Sequence, residues 1–131
     1  MLGWVGDIEK ETLENETFRT VVFTGEHTQL TVMRLAVGED IGWEAHHDRD
    51  QFLRIEQGRG RVELGRSEDG PDETHDVEDD WATIVPAGVW HNVVNTGADE
   101  LKLYSLYSPP EHPDGTVHRT KAEAEAAEHA H

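Results

Sequence analysis

The chain contains no cysteine, which removes disulfide bridges, thiolate nucleophiles, iron–sulfur clusters and cysteine-type zinc sites from consideration. Lysine is nearly as scarce. Lys10, Lys102 and Lys121 stand among 11 basic residues against 28 acidic ones, for a formal net charge of -17. A field of that sign repels phosphate backbones and anionic bilayers, so neither nucleic acid nor membrane is an expected partner. No apolar run approaches bilayer length, and the opening MLGWVGDIEKETLENE has no basic stretch leading into an apolar one; a cytoplasmic location is the expectation. Acidity spread along the whole chain with few lysines is also the pattern of high-salt cytoplasms, where self-repulsion is screened. An ordinary acidic bacterial protein is the equal alternative, and loss of structure on withdrawal of salt separates the two.

What is present reads as one domain. A chain of 131 residues supports one sizeable core and is too short for two. From Phe18 to Tyr107 short apolar runs alternate with turn residues, a rhythm that favours an all-β sandwich or barrel over a parallel βαβ sheet. The runs are FRTVVFTG (18 to 25), TQLTVMRLAV (28 to 37), FLRIEQ (52 to 57), RVELG (61 to 65), ATIV (82 to 85), WHNVVNT (90 to 96) and LKLYSLY (101 to 107). Gly58 and Gly60 make a tight hairpin between the third and fourth, while SEDGPDE and PAG read as turns. In the second run neither alternating face is cleanly apolar, which leaves its orientation open. The division expected is an N-terminal segment (1–17), a barrel (18–107) and a Pro-rich extension with a surface helix (108–131). Thr120 and Glu123 supply a capping box for that helix, whose only apolar face is alanine.

The chemistry-bearing residues fall in two clusters. In the first, Gly38, Glu44, His46, Gln51 and Gly58 follow one another across gaps of five, one, four and six residues. In the second, Pro86, Ala87 and Gly88 lead across two residues to His91 and across three more to Asn95. On extended chain, positions i and i+2 share a face, so Glu44 and His46 look one way while Ala45 and His47 look the other. Gln51 begins the next strand, and His91 follows the PAG turn. Slippage by one residue would make His47 an auxiliary ligand.

The two clusters resemble the paired motifs of the cupin superfamily over Gly38 to Asn95. The resemblance implies a single-domain antiparallel jelly-roll β-barrel of six to eight strands, with four side chains converging on a metal inside it. Glu44 stands where the family has its first histidine, and Gln51 where it has glutamate. His46 and His91 match, and Asp80 takes a position expected to be glycine. The ligand set carried over is Glu44, His46, Gln51 and His91. Two imidazoles and one carboxylate with open positions suit Zn, Fe, Mn or Ni; a metal-free polar cavity in the same barrel is the competing state. The extension YSPPEHPDGTVHRTKAEAEA is similar to that of small cupins labelled mannose-6-phosphate isomerase-like. Family membership also implies a homodimer paired through edge strands, which are otherwise a liability.

Two functions follow as expectations. One is a metal-dependent enzyme acting on a small polar molecule by dioxygenase-type or isomerase-type chemistry, with Glu44 as the catalytic proton carrier. The other is a module that binds or senses a small ligand without turnover. For a sugar phosphate, no cluster of Lys and Arg surrounds the site, only Arg34, Arg54 and Arg61 on nearby strands. Asn95 is expected to hold a turn, Phe52 and Tyr104 to pack or line the cavity, and His112, His118, His129 and His131 to lie on the surface unless the tail crosses the barrel mouth.

Overall fold

The computed structural model describes residues 2–129, and for His129 the backbone alone. Nine strands form two antiparallel sheets, a jelly roll flanked by two short helices. In chain order the elements are α1 (Ile8–Glu14), β1 (Arg19–Thr24), β2 (Gln29–Leu35), β3 (Asp50–Gln57), β4 (Gly60–Gly65), β5 (Glu73–Val77), β6 (Ala82–Val85), β7 (Trp90–Asn95), β8 (Leu101–Ser108), β9 (Val117–His118) and α2 (Lys121–His129). The larger sheet runs β6-β3-β8-β2-β1-β9 and the smaller β5-β4-β7.

Every strand run expected from the sequence is present, and three further elements join them. Helix α1 starts at Asp7, whose side chain accepts the Lys10 amide at 3.1 Å, with Glu9 and Glu11 favoured in its first turn. Its C-terminal end receives the buried Lys102 ammonium on the Leu13 carbonyl. Strand β5 is exposed at four of its five positions, so it carries no apolar alternation. Strand β9 is two residues long and pairs with β1, Arg19 opposite His118.

The mixed pattern of β2 has a simple cause: the strand is central and covered on both faces. Met33 and Leu35 enter the main apolar cluster, while Leu30 and Val32 on the opposite face are also buried. The inward residues of β2, β8 and β3 form layers. Gln29, Tyr107 and Gln51 lie side by side in one layer, Thr31, Ser105 and Leu53 in the next, then Met33, Leu103 and Ile55. One end of the barrel interior is therefore polar and the other apolar. Met33, Leu35, Leu101 and Leu103 are fully buried there, each worth about 1.5–3 kcal/mol of removed apolar surface.

Two backbone positions depend on unusual conformations. Gly58 has φ 109°, and a Cβ there would meet the Glu100 carbonyl at 2.9 Å, so the hairpin needs glycine. Asp80 has φ 73°, which explains why its position suits glycine. Aspartate is among the residues that tolerate the left-handed region.

The extension continues the barrel rather than trailing from it. Gln29, buried on β2, donates to the His112 carbonyl at 2.7 Å and accepts the amides of Glu111 and His112 at 3.2 and 2.9 Å. Ala124 of α2 is 3% exposed and belongs to the core, and Lys121 pairs with Asp40. Thr120 caps the helix by accepting the Glu123 amide.

Candidate metal centre

Glu44 and His46 lie on a stretch that runs beside β7 without forming a continuous strand. Isolated bridges join Asp40 to Val94 and Glu44 to His91, and Glu44 and His91 exchange backbone hydrogen bonds of 3.0 and 2.8 Å. Between the bridges, Gly42 gives its amide to the Asn92 side chain at 2.9 Å. Trp43 and Trp90 stack at 6.0 Å, clasping this stretch to β7. The alternation expected at the adjacent histidines is observed, with the His46 side chain 13% exposed and His47 exposed.

Glu44, His46 and His91 come together. Glu44 Oε1 lies 3.5 Å from His46 Nε2 and 3.9 Å from His91 Nε2, and one donor atom from each residue falls within 4.8 Å of the others. The 3.9 Å contact is too long for a hydrogen bond and the 3.5 Å one is at its outer limit. Both imidazole Nε2 atoms are buried without a hydrogen-bond partner among the described residues. His91 Nδ1 is 3.1 Å from the Val89 carbonyl, an arrangement in which the ring N–H donates and Nε2 keeps a bare lone pair. His46 Nδ1 faces Glu111 at 3.4 Å, which turns its own Nε2 toward Glu44. Gln51 is 3% exposed; its Nε2 donates to Ser105 Oγ at 3.3 Å, while its Oε1 has no partner among the described residues.

The protonation states follow from these neighbours. Burial works to raise the Glu44 carboxyl, but His46, His91 and Arg19 outweigh it and hold the group below its ordinary range. Burial likewise depresses His46, and Glu44 followed by Glu111 reverses the effect, leaving it raised. In His91 burial wins and the imidazole is held neutral to lower pH than usual.

Several residues stand elsewhere than expected, or went unforeseen. The His47–Asp50 stretch is more than a solvated turn. Arg49 reaches the Pro110 carbonyl and pairs with Glu111 at 2.8 Å, while Asp50 accepts the Ala87 amide at 2.8 Å. Phe52 and Tyr104 pair at 6.2 Å, on β3 and β8 positions that alternate with the buried inward ones. Arg34, Arg54 and Arg61 are taken by Glu16 and Glu100, by Glu56 and Asp80, and by Glu63 respectively. His112 is packed edge-on to Tyr107 at 5.2 Å and is not a surface residue; the extension does cross the barrel mouth. His131 and the His129 side chain lie outside the described residues. Asn95 has the structural role expected, donating to the carbonyls of Leu35, Ala36 and Asp99 at 3.0, 3.1 and 3.0 Å. Glu111 carried no spacing signal in SPPEHP. Arg19 could have been noticed as an arginine sharing a face with Val21.

A jelly roll with two histidines and a carboxylate gathered inside it defines a class of protein, and the chain belongs to the cupin family, whose domain model matches residues 31–107. It is 58% identical over 125 residues to the uncharacterized Bacillus subtilis protein YrkC, covering 95% of this chain and 67% of that one. The uncharacterized protein L612 of Acanthamoeba polyphaga mimivirus is 39% identical over 115 residues, with 87% and 70% covered. A crystal structure of BH2720 from Bacillus halodurans matches at a TM-score of 0.93 and 54% identity, over 94% of this chain and 93% of that one. KdgF from Halomonas sp. shares the fold at a TM-score of 0.62 and 22% identity, over 71% and 78%. These likenesses establish the cupin family and not the mannose-6-phosphate isomerase-like subtype. Among the described residues no helix is long and apolar enough to cross a membrane.

Proposed function

We propose that this cupin binds one divalent first-row metal ion through Glu44, His46 and His91, with Gln51 Oε1 as a fourth donor, and acts on a small polar molecule beside it. One observation carries the reading: two buried imidazole nitrogens without hydrogen-bond partners share a 4.8 Å cluster with a carboxylate. Leaving such groups unsatisfied is costly, and a cation among them satisfies all three together. Two imidazoles and one carboxylate fit Zn, Fe, Mn or Ni. When bound, such an ion supplies Lewis-acid polarisation or open coordination positions for a bidentate substrate.

The remaining roles belong to the chain. Val89 and Glu111 hold the two rings with Nε2 turned inward. Glu44, kept ionised by its neighbours, is the group that takes a proton in isomerase-type chemistry. Dioxygenase-type chemistry is marked instead by oxygen uptake.

The test is elemental analysis of protein purified without a histidine tag or added metal, beside a Glu44→Ala, His46→Ala, His91→Ala triple variant. Near-stoichiometric metal in the wild type and none in the variant supports the reading and names the ion to carry into oxygen-uptake and isomerase assays. No metal in either, and no tight uptake on titration, overturns it in favour of a binding or sensing module with a metal-free polar cavity.

A further inference from the structure

Arg19 is the least expected residue in the barrel. It sits on β1 and is 3% exposed, yet its guanidinium makes no ion pair among the described residues. Its polar contacts are Nη1 to His118 Nδ1 at 3.3 Å and the Tyr107 hydroxyl, and its Nε is buried with no partner among the described residues. Lys102, the buried ammonium, by contrast has the Leu13 carbonyl and Glu16. The Arg19 charge reaches Glu44, but among the described residues no carboxylate comes within ion-pair distance of it, and a buried cation with no direct anion is costly. The arrangement makes sense if the anion comes from outside the chain.

The surroundings fit that role. Arg19 lines two small cavities. One of about 150 Å³ opens toward Glu44, Gly42 and Trp43; the other, of about 260 Å³, lies under Glu111, His112 and His118. Another buried polar atom without a partner among the described residues, Nε2 of His112, belongs to the lining of the second cavity. Arg19 is thus placed between the carboxylate of the candidate metal centre and the extension that crosses the barrel mouth.

We propose that Arg19 anchors the carboxylate of a small organic acid, whose other polar end reaches toward Glu44, His46 and His91. The planar guanidinium matches a carboxylate with two parallel hydrogen bonds. The proposal rests on the reading of that cluster as the functional site and gives its ligand a chemical class. A monoanion is selected over a phosphate dianion. Lys121, which also lines the first cavity, is taken by Asp40, which leaves Arg19, while Glu44, Glu111, Glu125 and Glu128 border the two cavities and oppose further negative charge. The cavity of about 150 Å³ beside Glu44 suits an acid of a few carbons.

The probes are glycolate, acetate and the uncharged acetamide, added to metal-free and metal-loaded protein. Binding is followed by titration calorimetry and by the NMR signal of the Arg19 Nε–H. Glycolate and acetate should bind and shift that signal, and acetamide should do neither. Arg19→Met should weaken acetate binding by about tenfold or more, with Arg19→Lys intermediate, as expected for loss of a charge-assisted bidentate contact. Metal content should stay at the wild-type level in both variants. Arg19→Lys keeps the charge and covers the case in which Arg19→Met fails to fold. Equal acetate binding in wild type and a folded Arg19 variant, or no carboxylate binding by the wild type, overturns the subsite. Absence of metal with acetate still bound at Arg19 instead overturns the metal reading alone.

Discussion

Glu111 stands 3.4 Å from Nδ1 of His46 and 2.8 Å from the Arg49 guanidinium. A residue of the C-terminal extension therefore orients a ring carried by the first motif. Carboxylates placed behind a ligating imidazole fix its tautomer and raise its basicity, and losing one typically costs about 10–100-fold in metal affinity. Glu111→Gln is expected to keep the fold and to weaken metal retention within that range, measured by competition with a chelator. Unchanged retention would detach Glu111 from the site.

Asn95 holds three carbonyls with one amide nitrogen and receives the Gly97 amide at 3.0 Å. Asn95→Ala leaves those groups unpaired in a site that is 2% exposed, so unfolding stability should fall by about 2–4 kcal/mol. The check is a urea titration in which the midpoint moves and the slope does not. A loss below about 0.5 kcal/mol would mean that water replaces the side chain freely.

His112 gives the molecule a pH dependence. Burial first, then the Arg19 charge, lowers its pKa from 6.5 to about 3. The unfolded chain takes up this proton before the folded one does, so stability is fully present above about pH 6.5 and is lost progressively toward about pH 3. Between about pH 7 and 5 the loss from this group is about 2 kcal/mol. His91 and His118, both lowered, act in the same direction, and His46, which is raised, acts against them. The measurement is therefore a difference: His112→Phe should show a shallower fall in melting temperature between pH 7 and 5 than the wild type. Parallel curves would show that His112 is not held neutral by the fold.

Strand β6 ends the larger sheet, and its Ile84 is 69% exposed, opposite Phe52 of β3. An apolar residue on an unpaired edge favours contact with a second copy of the chain. The expected outcome is a dimer by sedimentation that Ile84→Glu converts to monomer. A monomeric wild type at micromolar concentration would remove this interface.

The strand runs and the inward face of the first motif were legible because both depend on local alternation. His46 inward and His47 outward follow from the two-residue period alone. What escaped notice depends on distant partners. Helix α1 has an Asp7 cap and an acidic first turn but few apolar residues, and β5 reads ETHDV, with no buried face until Val77. His112 and Glu111 look like solvated tail residues because the group that draws them in, Gln29, lies more than eighty positions earlier. Arg34, Arg54 and Arg61 face acids outside the barrel, whereas Arg19, inside it, lies well before the first motif. Proximity in sequence was a poor guide to charge inside the cavity.

Gln29 is bonded to Glu111 and His112, and Glu111 in turn faces His46. Ordering of the extension and occupancy of the cavity are thus joined by a thermodynamic cycle, and the coupling has the same size in both directions. Anything that draws on the oriented His46 ring will slow hydrogen exchange at the Glu111 and His112 amides. A substitution at Gln29 that frees the extension will loosen whatever that ring holds by at most that coupling free energy.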